Sequence, residues 1–144
     1  MARTKTPAGY SGTPLVQKLG IKPGHRVLFV QPPGDFADTL GKMPDGVTLV
    51  RANAKRIDVV LLFVASLADL KKRFAALSRK LVSNGSLWVC WPKKASGVAT
   101  DVTETGIRDH GLSVGLVDVK VCAVDETWSG LKFVVRLVDR QNRR

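Results

Sequence analysis

"GLVDVKVCAVDETWSGLKFVVR" (residues 115 to 136) is the stretch on which the fold turns. Two strand-like runs, Leu116 to Val124 and Leu131 to Val138, are separated only by DETWSG. A link that short joins antiparallel neighbours; a parallel crossover takes a dozen residues or more. The chain therefore closes on a hairpin.

Upstream of the hairpin, strands and helices alternate. Arg26 to Gln31 and a short Val47 to Arg51 read as strands, and Ile57 to Val64, "IDVVLLFV", is the apolar, β-branched run of a strand covered on both faces. Ser86 to Trp91 is a further strand, broken by Pro92. Leu67, Leu70, Phe74, Leu77 and Leu81 recur at helical spacing, with Ser66 as N-cap and Asn84-Gly85 as the stop. Lys71, Lys72, Arg79 and Lys80 fall off that stripe, on a solvated face. A first short helix has Thr13 as N-cap, Pro14 in its first position and Gly20 at its end. Asp35 to Leu40 is helical, and Asp101 with Glu104 reads as a capping box for a helix running to His110, ended by Gly111. Alternation of this kind predicts a mostly parallel six-stranded sheet with helices on both faces, a single three-layer Rossmann-like α/β domain.

The chain has 144 residues, enough for one domain. Residues 1 to 12 are expected to be flexible, 13 to 139 to form the domain, and 140 to 144 to be a basic tail. The longest apolar run, Val59 to Ala65, is far short of the roughly 20 residues that span a bilayer, and the start lacks a signal-peptide core. A cytoplasmic protein with no membrane partner is expected. Cys90 and Cys122 sit in apolar strands and read as small buried hydrophobes; His25 and His110 have no acidic or cysteine cluster, so no metal site is expected. The net charge of +11 favours a polyanion such as nucleic acid.

"KLGIKPGHRVLFV" (18 to 30) followed by a strand and loop, in a parallel sheet ending in an antiparallel hairpin, resembles the class I methyltransferases. That resemblance implies the strand order 2-1-3-4-6-5. Three stretches, "YSGTPLVQKLGIKPG" (10 to 24), "LWVCWPKKASGVATDVTE" (87 to 104) and residues 115 to 136, resemble a family of small bacterial proteins of unknown function. That family implies a reduced methyltransferase-like fold and supplies no catalytic residues.

The loop after the first strand, "QPPGDF" (31 to 36), departs from a methyltransferase cofactor loop. Pro32 and Pro33 remove two N–H donors, only Gly34 remains of the expected glycines, and the second strand ends in Arg51 where an acid usually binds ribose. On this ground no cofactor is expected and S-adenosylmethionine is disfavoured. A small ligand, if bound, belongs at the carboxyl edge of the sheet, with Gln31, Gly34, Asp35 and Ser66 as the cofactor-site candidates. Lys93 and Lys94 are candidates for an anion site beside a helix amino end. Trp128 is a candidate partner contact, against the alternative that it folds back over the sheet. Asp125 and Glu126 point apart along a strand and do not form an acid/base pair. Asp118 and Lys120 on one hairpin strand are expected to pair with Lys132 and Arg136 on the other.

The first functional reading is a non-catalytic methyltransferase-like domain that binds a partner or regulatory ligand, leaning away from an enzyme. The alternatives are a basic nucleic-acid- or ribosome-associated protein, and a divergent small-molecule enzyme or methyltransferase. Open sheet edges leave room for a homo-oligomer.

Overall fold

The structure, a computed structural model, describes residues 12–142; the expected flexible segment lies outside them except for Gly12. Six strands form one sheet: β1 (Arg26–Val30), β2 (Thr48–Leu49), β3 (Ile57–Phe63), β4 (Leu81–Pro92), β5 (Leu116–Ala123) and β6 (Trp128–Val135). Their order is 2-1-3-4-6-5. β2, β1, β3 and β4 are mutually parallel, and β6 runs antiparallel between β4 and β5. This is the Rossmann-like order that the resemblance to the class I methyltransferases implies. Among the described residues no helix is long and apolar enough to cross a membrane.

β3 shows why the central strand is apolar throughout. Val60 and Leu62 belong to one core cluster with α3 (Leu67–Ser78) and α4 (Glu104–Val114). Val59, Leu61 and Phe63 belong to the other, with α1 (Leu15–Lys18) and α2 (Phe36–Leu40). Alternate side chains point to opposite faces of a strand, and here both faces are covered. On the α1 side Trp88 is fully buried and its indole donates to the Leu19 carbonyl at 3.0 Å, so the deepest polar group there is satisfied.

Several boundaries differ from the sequence expectation, each for a local reason. The α3 helix ends at Ser78, and Leu81 begins β4 opposite Ile57. Leu81 is buried in the same cluster as the α3 stripe, so helical spacing alone carries the helix past its end. Asn84-Gly85 then marks a strand irregularity rather than a helix stop. Between their paired ends β4 advances five residues (Leu81 to Ser86) against two on β3 (Ile57 to Val59), and a Cβ on Gly85 would stand 3.0 Å from the Ile57 carbonyl oxygen. Pro14 is the N-cap residue of α1 rather than its first turn.

The fourth helix is likewise shifted. Thr103, not Asp101, caps α4, its hydroxyl accepting from the Gly106 N–H at 3.0 Å. Asp101 instead accepts from the Leu67 N–H at 2.7 Å, capping α3 from outside. Gly111 lies inside α4, and the helix ends at Gly115, where φ is +104°. The hairpin is also longer than expected. Trp128, Ser129 and Gly130 are strand residues, and the turn is confined to residues 124 to 127. After β6, a 3-10 helix spans Leu137–Asn142, with the Arg140 guanidinium donating to the Val135 carbonyl.

Candidate functional site

Where the strand order reverses, between β1 and β3, an open cleft of about 610 Å³ lies at the carboxyl edge of the sheet. Gln31, Phe63, Ala65, Ser66, Ala68, Asp69, Lys72 and Trp128 line it. Its size falls within the range of small-molecule sites, and its place is where open α/β sheets bind ligands.

Three elements build it. Gln31 directly follows β1 with φ +58°, the left-handed conformation usually given to glycine. That turn sends its side-chain amide across the crevice, where Nε2 donates to the Phe63 carbonyl and to the Asp69 carboxylate, both at 2.8 Å. Asp69 stands in the first turn of α3, and its other oxygen accepts from the Arg73 guanidinium at 2.8 Å. The hydrogen bond from Gln31, then that from Arg73 and its charge, hold the Asp69 carboxyl below its usual value against the opposing effect of burial. The cleft thus carries an ionised carboxylate. Each of its oxygens retains a lone pair for a ligand donor.

The third element is the hairpin. Because β6 is antiparallel to β4, its first residue, Trp128, stands opposite Pro92 at the carboxyl edge. The buried Asp125 carboxylate accepts from the N–H groups of Thr127 and Trp128 at 2.8 and 2.9 Å. Lys93 bolts the same turn, its ammonium on the Asp125 carbonyl at 2.7 Å and its N–H on the Thr127 carbonyl at 2.8 Å. The half-buried Trp128 ring meets Phe63 edge-on at 5.2 Å, and Phe63, Phe36 and Phe29 continue the row at 4.9 and 5.2 Å. Edge-to-face contacts of this kind fix ring orientation.

Of the residues singled out by sequence, Gln31, Ser66 and Trp128 come together in this cleft; Gly34 and Asp35 do not line it. Asp35 precedes α2, a helix of five residues. Lys93 and Lys94 do not assemble as expected. Lys93 is committed to the hairpin turn, and Lys94 is exposed on a 3-10 helix, Lys94–Ser96. The amino end of α3 is already satisfied by Ser66 and Asp101, and that of α4 by Thr103. Sequence reasoning missed Asp69 and Phe63 as site residues, the second because it lies in the apolar run of a strand covered on both faces. The available signal was topological, since the residues after β1 and β3 meet at a switch point whatever their type.

No family model and no curated protein matches the chain. Solved structures do match it. A SAM-dependent methyltransferase from Aquifex aeolicus superposes with a TM-score of 0.60 at 14% identity, over 85% of this chain and 88% of that one. Magnesium protoporphyrin IX methyltransferase from Synechocystis PCC 6803 with bound SAM gives 0.55 at 11% identity, over 85% and 74%. Fibrillarin from Aeropyrum pernix with natively bound S-adenosyl-L-methionine gives 0.52 at 13%, over 83% and 73%. At these identities the likeness establishes the fold.

These neighbours correct the expectation that S-adenosylmethionine is disfavoured. Its ground was the proline loop, and the fold is one in which solved members hold the cofactor. The geometry of the loop removes part of that ground. The left-handed turn that glycines would allow is present without them, at Gln31, and the polar groups of the cleft are side chains rather than the N–H donors that Pro32 and Pro33 remove.

Proposed function

We propose that the chain is a divergent methyltransferase domain that binds S-adenosylmethionine in the cleft between Gln31, Asp69 and Trp128. The observation that carries the reading is the convergence, at the switch point of this fold, of an aromatic wall, an ionised carboxylate and an ammonium group. The residues fit such a ligand chemically. The half-buried Trp128, backed by the buried Phe63, offers ring surface to an adenine, the Asp69 carboxylate accepts from hydroxyl or ammonium donors, and Lys72 offers an ammonium to a carboxylate. Bound there, the cofactor supplies an electrophilic methyl group on a sulfonium sulfur. The chain's own residues do the holding. Gln31 orients the Asp69 carboxylate and keeps it ionised, so it serves as a fixed acceptor and not as an acid. The non-catalytic reading rested on two negative grounds, the proline loop and the lack of a catalytic constellation in the sequence.

Isothermal titration calorimetry with S-adenosylmethionine and S-adenosylhomocysteine tests the proposal. Micromolar binding is expected, weakened about tenfold or more by Trp128→Ala and by Asp69→Asn, each of which removes one base-stacking or charge-assisted contact. Absence of binding of either ligand at millimolar concentration overturns the proposal. So does unchanged affinity in both variants.

A further inference from the structure

The hairpin reverses one sequence expectation in a way that exposes a second surface. Asp118 does not pair across the strands; its carboxylate accepts from Arg108 of α4 at 2.8 Å. Between Asp118 and Lys120 the β5–β6 register shifts, leaving Val119 as an extra residue, so that Lys120 stands directly opposite Lys132. Like charges directly opposite on a ladder are destabilising. Arg136 pairs with Asp139 in the 3-10 helix that follows β6.

Both lysines point to the α1 side of the sheet. Lys132 lies over the Trp88 ring, its Nζ 6.0 Å from the ring centroid. The Lys120 ammonium donates to the Lys18 carbonyl at the end of α1, at 3.3 Å. Burial, then the Lys120 and Lys22 ammonium groups, lower the pKa of Lys132. Beside them the Cys122 thiol, pushed up by burial, is drawn back by Lys18, Lys120 and Lys93. Among the described residues, none of Lys18, Lys22, Lys120 and Lys132 makes an ion pair; the ion pairs present join Asp69, Glu104, Asp118 and Asp139 to arginines. The Lys120 and Lys132 ammonium groups therefore share one face of the β5–β6 hairpin beside the end of α1, with Lys18 and Lys22 near enough for their charges to act on Cys122 and Lys132.

We infer that this lysine face binds the phosphate backbone of a nucleic acid. Charge complementarity selects the occupant. Lysine is a point-charge partner for phosphate, the ligand's charges would relieve the repulsion between Lys120 and Lys132, and the chain's net charge of +11 extends the attracting field. The exposed large apolar residues of β5 are Val119, in the bulge, and Val121, which faces the α4 side opposite Leu131. One exposed valine beside the lysines falls short of the apolar anchor that a bilayer or a protein hot spot needs. Cofactor binding in the cleft is not required for it.

The test is fluorescence anisotropy with a labelled 24-nucleotide mixed-sequence RNA single strand and, in parallel, a DNA duplex of that length. Binding is expected to weaken steeply with salt for at least one of them. Lys120→Gln/Lys132→Gln is expected to lower the slope of log affinity against log salt by about two, one for each phosphate deprived of its lysine, with a thermal midpoint no lower than that of the unaltered protein. Lys22→Gln, an exposed change outside the sheet, is expected to lower it by about one, and keeps the test informative should the strand variant fold poorly. The control is Lys55→Gln/Arg79→Gln, which removes the same charge from a second basic cleft at the amino edge of the sheet. If the control weakens binding as much as the strand variant, only net charge is at work and the assigned face is wrong. Absence of binding to both probes at 20 mM salt, or capture of anionic vesicles in their place, overturns the inference as well.

Discussion

The two faces of the sheet are covered to different standards. On one, α3 and α4 have twelve and eleven residues, side-chain caps at both N-termini, and a continuous stack in which Phe74 meets Phe133 edge-on at 5.2 Å. Where α4 meets β5 its exposed rim is charge-matched, Arg108 bridging Glu104 and Asp118. On the other, α1 and α2 have four and five residues and no side-chain cap bond. They cover β1, β3 and Trp88 but leave the lysines of the hairpin facing one another. The cleft opens where the two faces meet, with Asp69 brought by one and Trp128 by the other. One face carries local consistency; the other keeps the conflicts, and conflicts that persist in a fold mark the places where function is found.

Truncating one phenylalanine on each face is the most direct way to break this contrast. Phe74→Ala is expected to cost about 3–5 kcal/mol, because long capped helices on both sides cannot collapse into the cavity. Phe36→Ala, equally buried but on the five-residue α2, should fall at the low end of that range, since a short helix can settle inward. Urea denaturation of both variants decides. Equal losses would show that the shorter helices hold their face as firmly as the longer ones.

A smaller effect sharpens the same point. A Cβ on Gly111 would stand 2.8 Å or less from three ring carbons of Phe133. Gly111→Ala raises helix propensity by about 1 kcal/mol in an open setting, yet here overpacking is expected to win, with a net loss of about 1–3 kcal/mol. A stabilised variant in thermal melts would mean that the α4–sheet contact has slack.

How far the sequence reached can be judged residue by residue. The six-residue link after Val124 was enough to make the last strands antiparallel, and the nearly all-apolar run from Ile57 placed β3 in the middle of the sheet. Ser66 capped α3 as its position suggested, and Gln31 and Ser66 both lie at the carboxyl edge. What failed depended on register. A bulge at Val119 and three extra residues in β4 cannot be read from composition, yet the first decides that Lys120 meets Lys132 rather than Leu131. Gly111 looked like a helix stop because a helical glycine packed under an aromatic ring has the same local signature. Asp101 matched a capping box but serves a helix 34 residues earlier in the chain, a tertiary choice with no local mark. Asp69 was hidden because a helix-start carboxylate has an ordinary explanation until Gln31 is seen to reach it.

The smallest predicted effect concerns the one polar atom left over on the well-matched face. His110 lies on α4 with its ring edge-on to Phe74 at 5.4 Å, and its Nε2 is buried with no hydrogen-bond partner among the described residues. Burial, then the Lys71 ammonium on α3, lower its pKa from the ordinary 6.5. The unfolded chain therefore binds this proton more readily than the folded one. Stability from keeping the ring neutral is complete above pH 6.5 and is lost as pH falls below that value toward the folded pKa. Asp69, also lowered but from 3.8, contributes stability that is lost only as pH falls below that value, outside the range of the melts that follow. Between about pH 7.5 and 5.5 the thermal midpoint of the unaltered protein should drop, by less than either core substitution costs, and His110→Gln should flatten that drop. If the variant follows the same curve, Nε2 reaches a proton acceptor in solution, and the α3–α4 face is less tightly closed than its caps and ring contacts imply.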